Sequence, residues 1–131
     1  MRTIKFRCWD TENKLDDGRN IMWYQDDQCI TIGDCYRIGT REGNVLMQFT
    51  GLKDKNGKEI YEGDVLKLVV YNNIGKHSIR IVSFDKGCFG FIDNTGKFFP
   101  LGIIIGNKGN EKIFEVIGNI HSNPELLEAT K

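Results

Sequence analysis

The sequence predicts an all-β protein, and three observations carry that prediction. Short apolar runs alternate with polar residues at the period of a half-buried strand, as in Ile4, Phe6 and Cys8 against Lys5 and Arg7, or across Ser78 to Phe84. Turn residues separate the runs: the chain has 15 glycines, many beside Asn or Asp, and only two prolines. The middle of the chain, Gln25 to Gly43, shows no helical period. Five or six short strands between closely spaced turns make a barrel or a sandwich.

Taken in order, Thr3 to Trp9 reads as a strand with one buried face. Trp9 falls on its polar side, where it would cover a neighbouring sheet or meet a partner chain. Asp10 to Asn20 is polar and reads as a loop turning at Asp17-Gly18. Ile21 to Tyr24 is a short strand, the hairpin partner of the first. Cys29 to Gly33 and Asp34 to Ile38 suggest two further strands. Leu46 to Phe49 is a strand, followed by the Asn56-Gly57 turn, Ile60-Tyr61 and a second turn at Gly63-Asp64. Val65 to Tyr71 is the longest β-prone run.

After a turn at Asn72 to Lys76 come the strands Ser78–Phe84 and Cys88–Ile92, the second with Gly90 inside it. A glycine there suits a bulge or the tight bend of a small barrel. Pro100 places Phe98 to Leu101 at an edge or an end. Ile103 to Ile105 is expected to be buried or hidden by a partner. The turn Asn107 to Asn110 precedes a last strand over Lys112 to Ile120. Asn123, Pro124 and Glu125 then open a short C-terminal helix, and Leu126 and Leu127 are expected to plug one end of the barrel.

A chain of 131 residues is one domain or two small subdomains sharing a core. Its eighteen basic and eighteen acidic side chains cancel. Neither half is a basic arm or an acidic tail, so bulk charge gives no support to nucleic-acid binding. The N-terminus lacks the apolar core of a signal peptide, and no apolar run approaches the ~20 residues of a membrane span, so a cytoplasmic protein is expected. Cys8, Cys29, Cys35 and Cys88 form no CxxC pair or zinc spacing; they read as small buried apolar residues without disulfides.

Catalytic constellations are missing from the sequence. Asp54-Lys55-Asn56-Gly57 fails the calcium-loop pattern, because Lys58 takes the fifth position and Gly57 the fourth. Glu59, Glu62 and Asp64 lie among Lys53, Lys55 and Lys58 and read as a solvated charged loop, with Asp64 bonding turn amides. The two histidines, His77 and His121, are far apart in sequence. No nucleophile motif or phosphate loop is present, so no enzymatic activity, metal or other cofactor is expected.

Phe49 to Val65, FTGLKDKNGKEIYEGDV, resembles the signature of the YopX-like proteins of phages and prophages. Ile4 to Asp10 is similar to that family's N-terminal strand. Glu115 to Ile120 with Asn123 to Leu127 is similar to its C-terminal close. The resemblance implies an irregular β-rich N-terminal subdomain, residues 1–45, followed by a small SH3-like β-barrel, residues 46–131. It implies a phage or prophage origin in a bacterial host, and no activity.

Two functional readings follow. In the first, the protein is a non-catalytic accessory protein acting through host or phage protein contacts and self-assembly. Its interface candidates are Trp9, Trp23, Tyr24 and Tyr36, aromatic residues crowded into a subdomain too irregular to bury them all. In the second, it is a nucleic-acid-binding barrel using Lys67, Tyr71, Lys76, His77 and Arg80, basic residues interleaved with an aromatic on neighbouring strands.

Overall fold

A computed structural model of the protein describes residues 3–26, 30–69, 78–93, 95–105 and 113–128. It is mostly β, with 48% of it in strands against 15% in short helices, as the alternating pattern requires. The chain divides into two compact units, Met1–Phe49 and Thr50–Lys131.

The N-terminal unit contains β1 (Phe6–Lys14), β2 (Asn20–Tyr24), α1 (Ile32–Gly39) and the start of β3 (Val45–Lys53). β1 lies between β2 and β3 and is antiparallel to both. Cys8 sits opposite Trp23 on one side and Leu46 on the other, so these three share a face. Trp9, Met22 and Val45 share the reverse face. The expected hairpin of the first two strands is therefore present. β1 runs further than expected, through residues whose polarity suggested a loop, because the register shifts between Asp10 and Lys14.

Where two strands were expected, over Cys29 to Ile38, the structure has the helix α1. Its start carries a capping box. The Thr31 hydroxyl accepts the Asp34 N–H at 3.1 Å, and the Asp34 carboxylate accepts the Thr31 N–H at 3.2 Å. Apolar positions recur at Ile32, Cys35 and Ile38 or Gly39, a helical spacing that the β-branched isoleucines and flanking glycines disguise. Cys35 and Gly39 are buried. A Cβ at Gly39 would lie 2.9 Å from that of Leu46 and 3.0 Å from that of Cys8, so glycine lets the helix lie close against β1 and β3.

In the C-terminal unit the end of β3 runs beside β4 (Glu59–Tyr61). There follow β5 (Asp64–Leu68), β6 (Ile79–Ile81), β7 (Ser83–Asp85), β8 (Cys88–Ile92) and β9 (Phe98–Pro100). α2 (Leu101–Ile105), β10 (Phe114–Asn119) and α3 (Glu125–Glu128) complete the unit. Two antiparallel triplets, β10-β5-β6 and β7-β8-β9, form a curled half-barrel. Only Val82 separates β6 from β7, so the strand expected over Ser78 to Phe84 is there but bent. Val82 fastens the bend: its N–H donates to Asp64 C=O and its C=O accepts from Gly63 N–H, both at 2.9 Å. Lys86 and Gly87 both have positive φ, 52° and 79°, which gives the β7–β8 hairpin a turn matched to strand twist.

The core of this unit is Ile60, Leu66, Val82, Phe91, Leu101, Ile105, Phe114 and Val116. Phe91 meets Phe114 edge to face at 5.4 Å and stacks on Phe99 at 6.0 Å. Pro100 ends β9, an edge strand, where its missing N–H breaks no ladder. The three isoleucines after it divide: Ile105 is buried, Ile104 half-buried and Ile103 exposed, as a helical turn rather than a strand dictates. The expected C-terminal helix is present. The Asn123 side-chain oxygen accepts the N–H of Asn119 at 3.2 Å, and its backbone C=O accepts the N–H of Leu126 at 3.0 Å. Val70, Tyr71, Cys29, Asn94 and the expected turns at 72–76 and 107–110 lie outside the described residues.

Candidate functional site

The stretch that dominates the sequence is a fold-building device. Asp54 is buried, and its two carboxylate oxygens do different work. Oδ1 accepts the N–H groups of Asn56 and Lys58, both at 2.9 Å, closing the Asn56-Gly57 turn. Oδ2 accepts the N–H of Val116 at 2.9 Å, from a strand 62 residues later. Beside it, Lys55 N–H donates to Phe114 C=O at 3.0 Å. The turn between β3 and β4 is thereby tied to β10.

The second turn is built the same way. Asp64 Oδ2 accepts the Tyr61 N–H at 2.8 Å, as its place after Gly63 suggested. The Thr50 hydroxyl donates to Ile60 C=O at 2.7 Å. These two carboxylates and the Thr50 hydroxyl are engaged with backbone, as a turn-rich half-barrel requires. Local sequence places Asp54 only in a hairpin turn; its bond to Val116 leaves no mark there.

A second hub lies in the N-terminal unit. Asp10 is fully buried. It accepts four hydrogen bonds: the Glu12 N–H at 2.9 Å, the Asn13 N–H at 3.2 Å, the Asn13 side-chain amide at 2.8 Å and the Trp23 indole N–H at 3.1 Å. Burial pushes the carboxyl up, but the Asn13, Glu12 and Trp23 donors outweigh it and hold the group at about 2, against 3.8 ordinarily. A depressed carboxyl stabilises the fold at pH values above its unfolded value of 3.8 and loses that contribution as pH falls through about 2. The contribution is on the order of 2 kcal/mol.

We therefore expect unfolding followed by Trp fluorescence to show stability falling between about pH 4 and pH 2. Asp10→Asn should flatten that slope. The comparison isolates Asp10 from Asp17, Asp34 and Asp93, which are also held low, chiefly by hydrogen bonds from Arg19, Thr31 and Thr95. An unchanged slope in Asp10→Asn would assign the acid sensitivity to those carboxylates.

The four interface candidates do not form one group. Trp23 is half-buried and packs against Cys8, Ile30 and Cys35, its indole committed to Asp10. Trp9 is half-buried on the reverse face of the sheet. Tyr24 ends β2, the outermost strand of its sheet; the residue is 45% exposed and the Arg7 guanidinium lies 5.8 Å from its ring centre. Tyr36 is 63% exposed on α1, one turn after Ile32, which is 50% exposed.

Of the nucleic-acid candidates, Tyr71, Lys76 and His77 lie outside the described residues. Lys67 and Arg80 are on neighbouring strands but out of step. Arg80 faces Leu66, whereas Lys67 faces Ile79, so the two side chains leave opposite faces of the sheet. Arg80 is buried over the Phe91 ring, 5.8 Å from its centre, and donates to Ile79 C=O at 2.8 Å. Lys67 sits opposite Glu115 on β10, whose carboxylate pairs with Lys55 at 3.8 Å.

Cys8 and Cys35 are fully buried and Cys88 is half-buried. Among the described residues no three of His, Cys, Asp and Glu assemble as metal ligands. Nor is any described helix long and apolar enough to cross a membrane.

These features define a small β protein whose buried polar residues serve its own turns. The chain belongs to the YopX protein family, whose model matches residues 5–128. It is similar over its length to two solved structures. One is protein EF1440 from Enterococcus faecalis, with 28% identity and a TM-score of 0.56 over 97% of this chain and 99% of that one. The other is YopX from Bacillus subtilis, with 21% identity and a TM-score of 0.54 over the whole of both chains; it shows the shared fold. A search of the curated proteins returned no match.

Proposed function

We propose that this chain is a non-catalytic accessory protein of a phage or prophage, working inside the bacterial host through protein contacts and self-assembly. One observation carries the reading. The N-terminal unit leaves Tyr36 and Ile32 side by side on the outer face of α1, with most of the tyrosine ring in water. Aromatic and aliphatic pairs of this kind anchor protein interfaces. The Asp54 and Asp64 arrangements support the non-catalytic part, since both carboxylates already accept backbone N–H groups. Family membership supports the mobile-element origin. The nucleic-acid alternative draws less support, because Lys67 and Arg80 diverge.

The test is the mass of the protein in solution, by light scattering across a size-exclusion peak. We expect a single species at a small multiple of 15.0 kDa, free of nucleic acid. Tyr36→Glu with Ile32→Glu should shift it to monomer, with circular dichroism unchanged because both residues are exposed. A wild-type monomer would overturn self-assembly. A mass unchanged in the double variant would move the interface away from α1. Absorbance at nucleic-acid wavelengths that fell with added salt would favour the alternative.

A further inference from the structure

The core of the N-terminal unit brings two thiols together. Cys8 lies in β1 and Cys35 in α1, and both are sealed from solvent in one cluster with Ile30. Cys8 is the cross-strand partner of Trp23 in the β1–β2 register. The Cys35 S–H donates to Trp23 C=O, with sulfur and oxygen 3.9 Å apart. Gly39, one turn further along α1, keeps the helix within contact of the Cys8 Cβ. Two buried thiols in one packed cluster, the Cys35 sulfur resting on the backbone of Cys8's strand partner, need little backbone movement to bond.

We propose that Cys8 and Cys35 are a disulfide site, closed by a low-molecular-weight disulfide, which staples α1 to β1. The closed fold protects the thiols: burial, with Cys35 and Asp10 alongside, pushes Cys8 up to about 12, and burial raises Cys35 as well. Reaction therefore begins in the open state, when α1 lifts from the sheet. The Cys35 thiolate attacks one sulfur of glutathione disulfide, breaking its S–S bond and releasing one glutathione thiol. α1 then closes, and the Cys8 thiolate attacks the Cys35 sulfur of the mixed disulfide, releasing the second. Two protein thiols are oxidised, one glutathione disulfide is reduced to two thiols, and no proton is gained or lost overall. The product fixes the helix that presents Ile32 and Tyr36.

The experiment uses the full chain with Cys29→Ser and Cys88→Ser, so that Cys8 and Cys35 alone remain. The protein is incubated with glutathione disulfide in mild denaturant, returned to buffer, then mapped by mass spectrometry after alkylation. We expect a cross-linked peptide pair joining Cys8 to Cys35, with two hydrogens lost and no glutathione retained. The unfolding midpoint should rise by about 5 °C or more and return on adding dithiothreitol. Both thiols alkylated, or glutathione held on either without a cross-link, would overturn the proposal. Wild type is mapped in parallel, so that misfolding of the variant is not mistaken for failure. There, fragment spectra placing the Cys8 bond on Cys29 instead would also overturn it.

Discussion

Asp54→Ala is expected to destabilise the C-terminal unit by about 3 kcal/mol or more, and to lower its denaturant midpoint accordingly. The substitution deletes three hydrogen bonds at once. Water can reach the Asn56 and Lys58 amides, since both residues are exposed. The Val116 amide has no such recourse, because its residue is buried between β5 and the core. A buried N–H without an acceptor carries the full desolvation penalty, and the link between the β3–β4 turn and β10 goes with it. Asp54→Asn should cost less, because an amide oxygen still serves one side of the site. Lys58→Ala is the control: its side chain is exposed and its contribution here is a backbone N–H, so a change within about 0.5 kcal/mol is expected. Equal effects of Asp54→Ala and Lys58→Ala would show that the clamp is not what holds the turn to the strand.

Gly90→Ala is expected to be nearly as damaging, for a steric reason. A methyl at Gly90 would lie 2.3 Å from the carbonyl oxygen of Phe99 and 2.5 Å from the Phe98 ring. The ring can swing away; the carbonyl belongs to the strand paired with β8, where Phe91 opposes Phe99 and Gly90 opposes Pro100. The β8–β9 ladder must open to admit the methyl, and overpacking of this kind costs roughly 3 kcal/mol. Chemical denaturation would read the loss, and amide exchange should place it in β8 and β9. Gly102→Ala offers the contrast, since nothing lies within 4 Å of its added carbon. If both glycines tolerate alanine equally, the close approach of β9 is not rigid.

Much of the fold was legible because its signals are local. Alternation places β1, the start of β3 and the bent pair β6–β7, short apolar or β-prone runs place β2, β5 and β8, and Asn56-Gly57 places the turn before β4. Proline locates the end of β9; Gly90, which reads as a bulge or bend, instead admits the close approach of the β9 backbone. The helix α1 was missed for an equally physical reason. Its eight residues include two isoleucines and two glycines, all poor helix formers, and its stability comes from a Thr31–Asp34 cap and from packing Cys35 and Gly39 onto β1. The Thr-x-x-Asp cap and the spacing of Ile32, Cys35 and Ile38 are its local signs. Asp10 reads as a loop residue because its neighbours are polar, whereas the bulged end of β1 turns that polarity inward onto a buried carboxylate.

For the candidate residues, sequence could name types but not directions. Trp23 and Tyr36 were equal candidates as aromatic residues. Packing separates them, placing one indole on Asp10 and leaving the other ring in water. Lys67 and Arg80 looked like neighbours on adjacent strands until the register put them on opposite faces.

The amino-acid sequence alone established a mostly β chain, its turns and its family, because each depends on residues close together along the chain. Tertiary structure decided the partners of Asp54 and Asp10, the contact between Cys8 and Cys35, and which aromatic rings remain exposed. Each of these depends on residues brought together across tens of positions, and no pattern within one strand or turn encodes such a meeting.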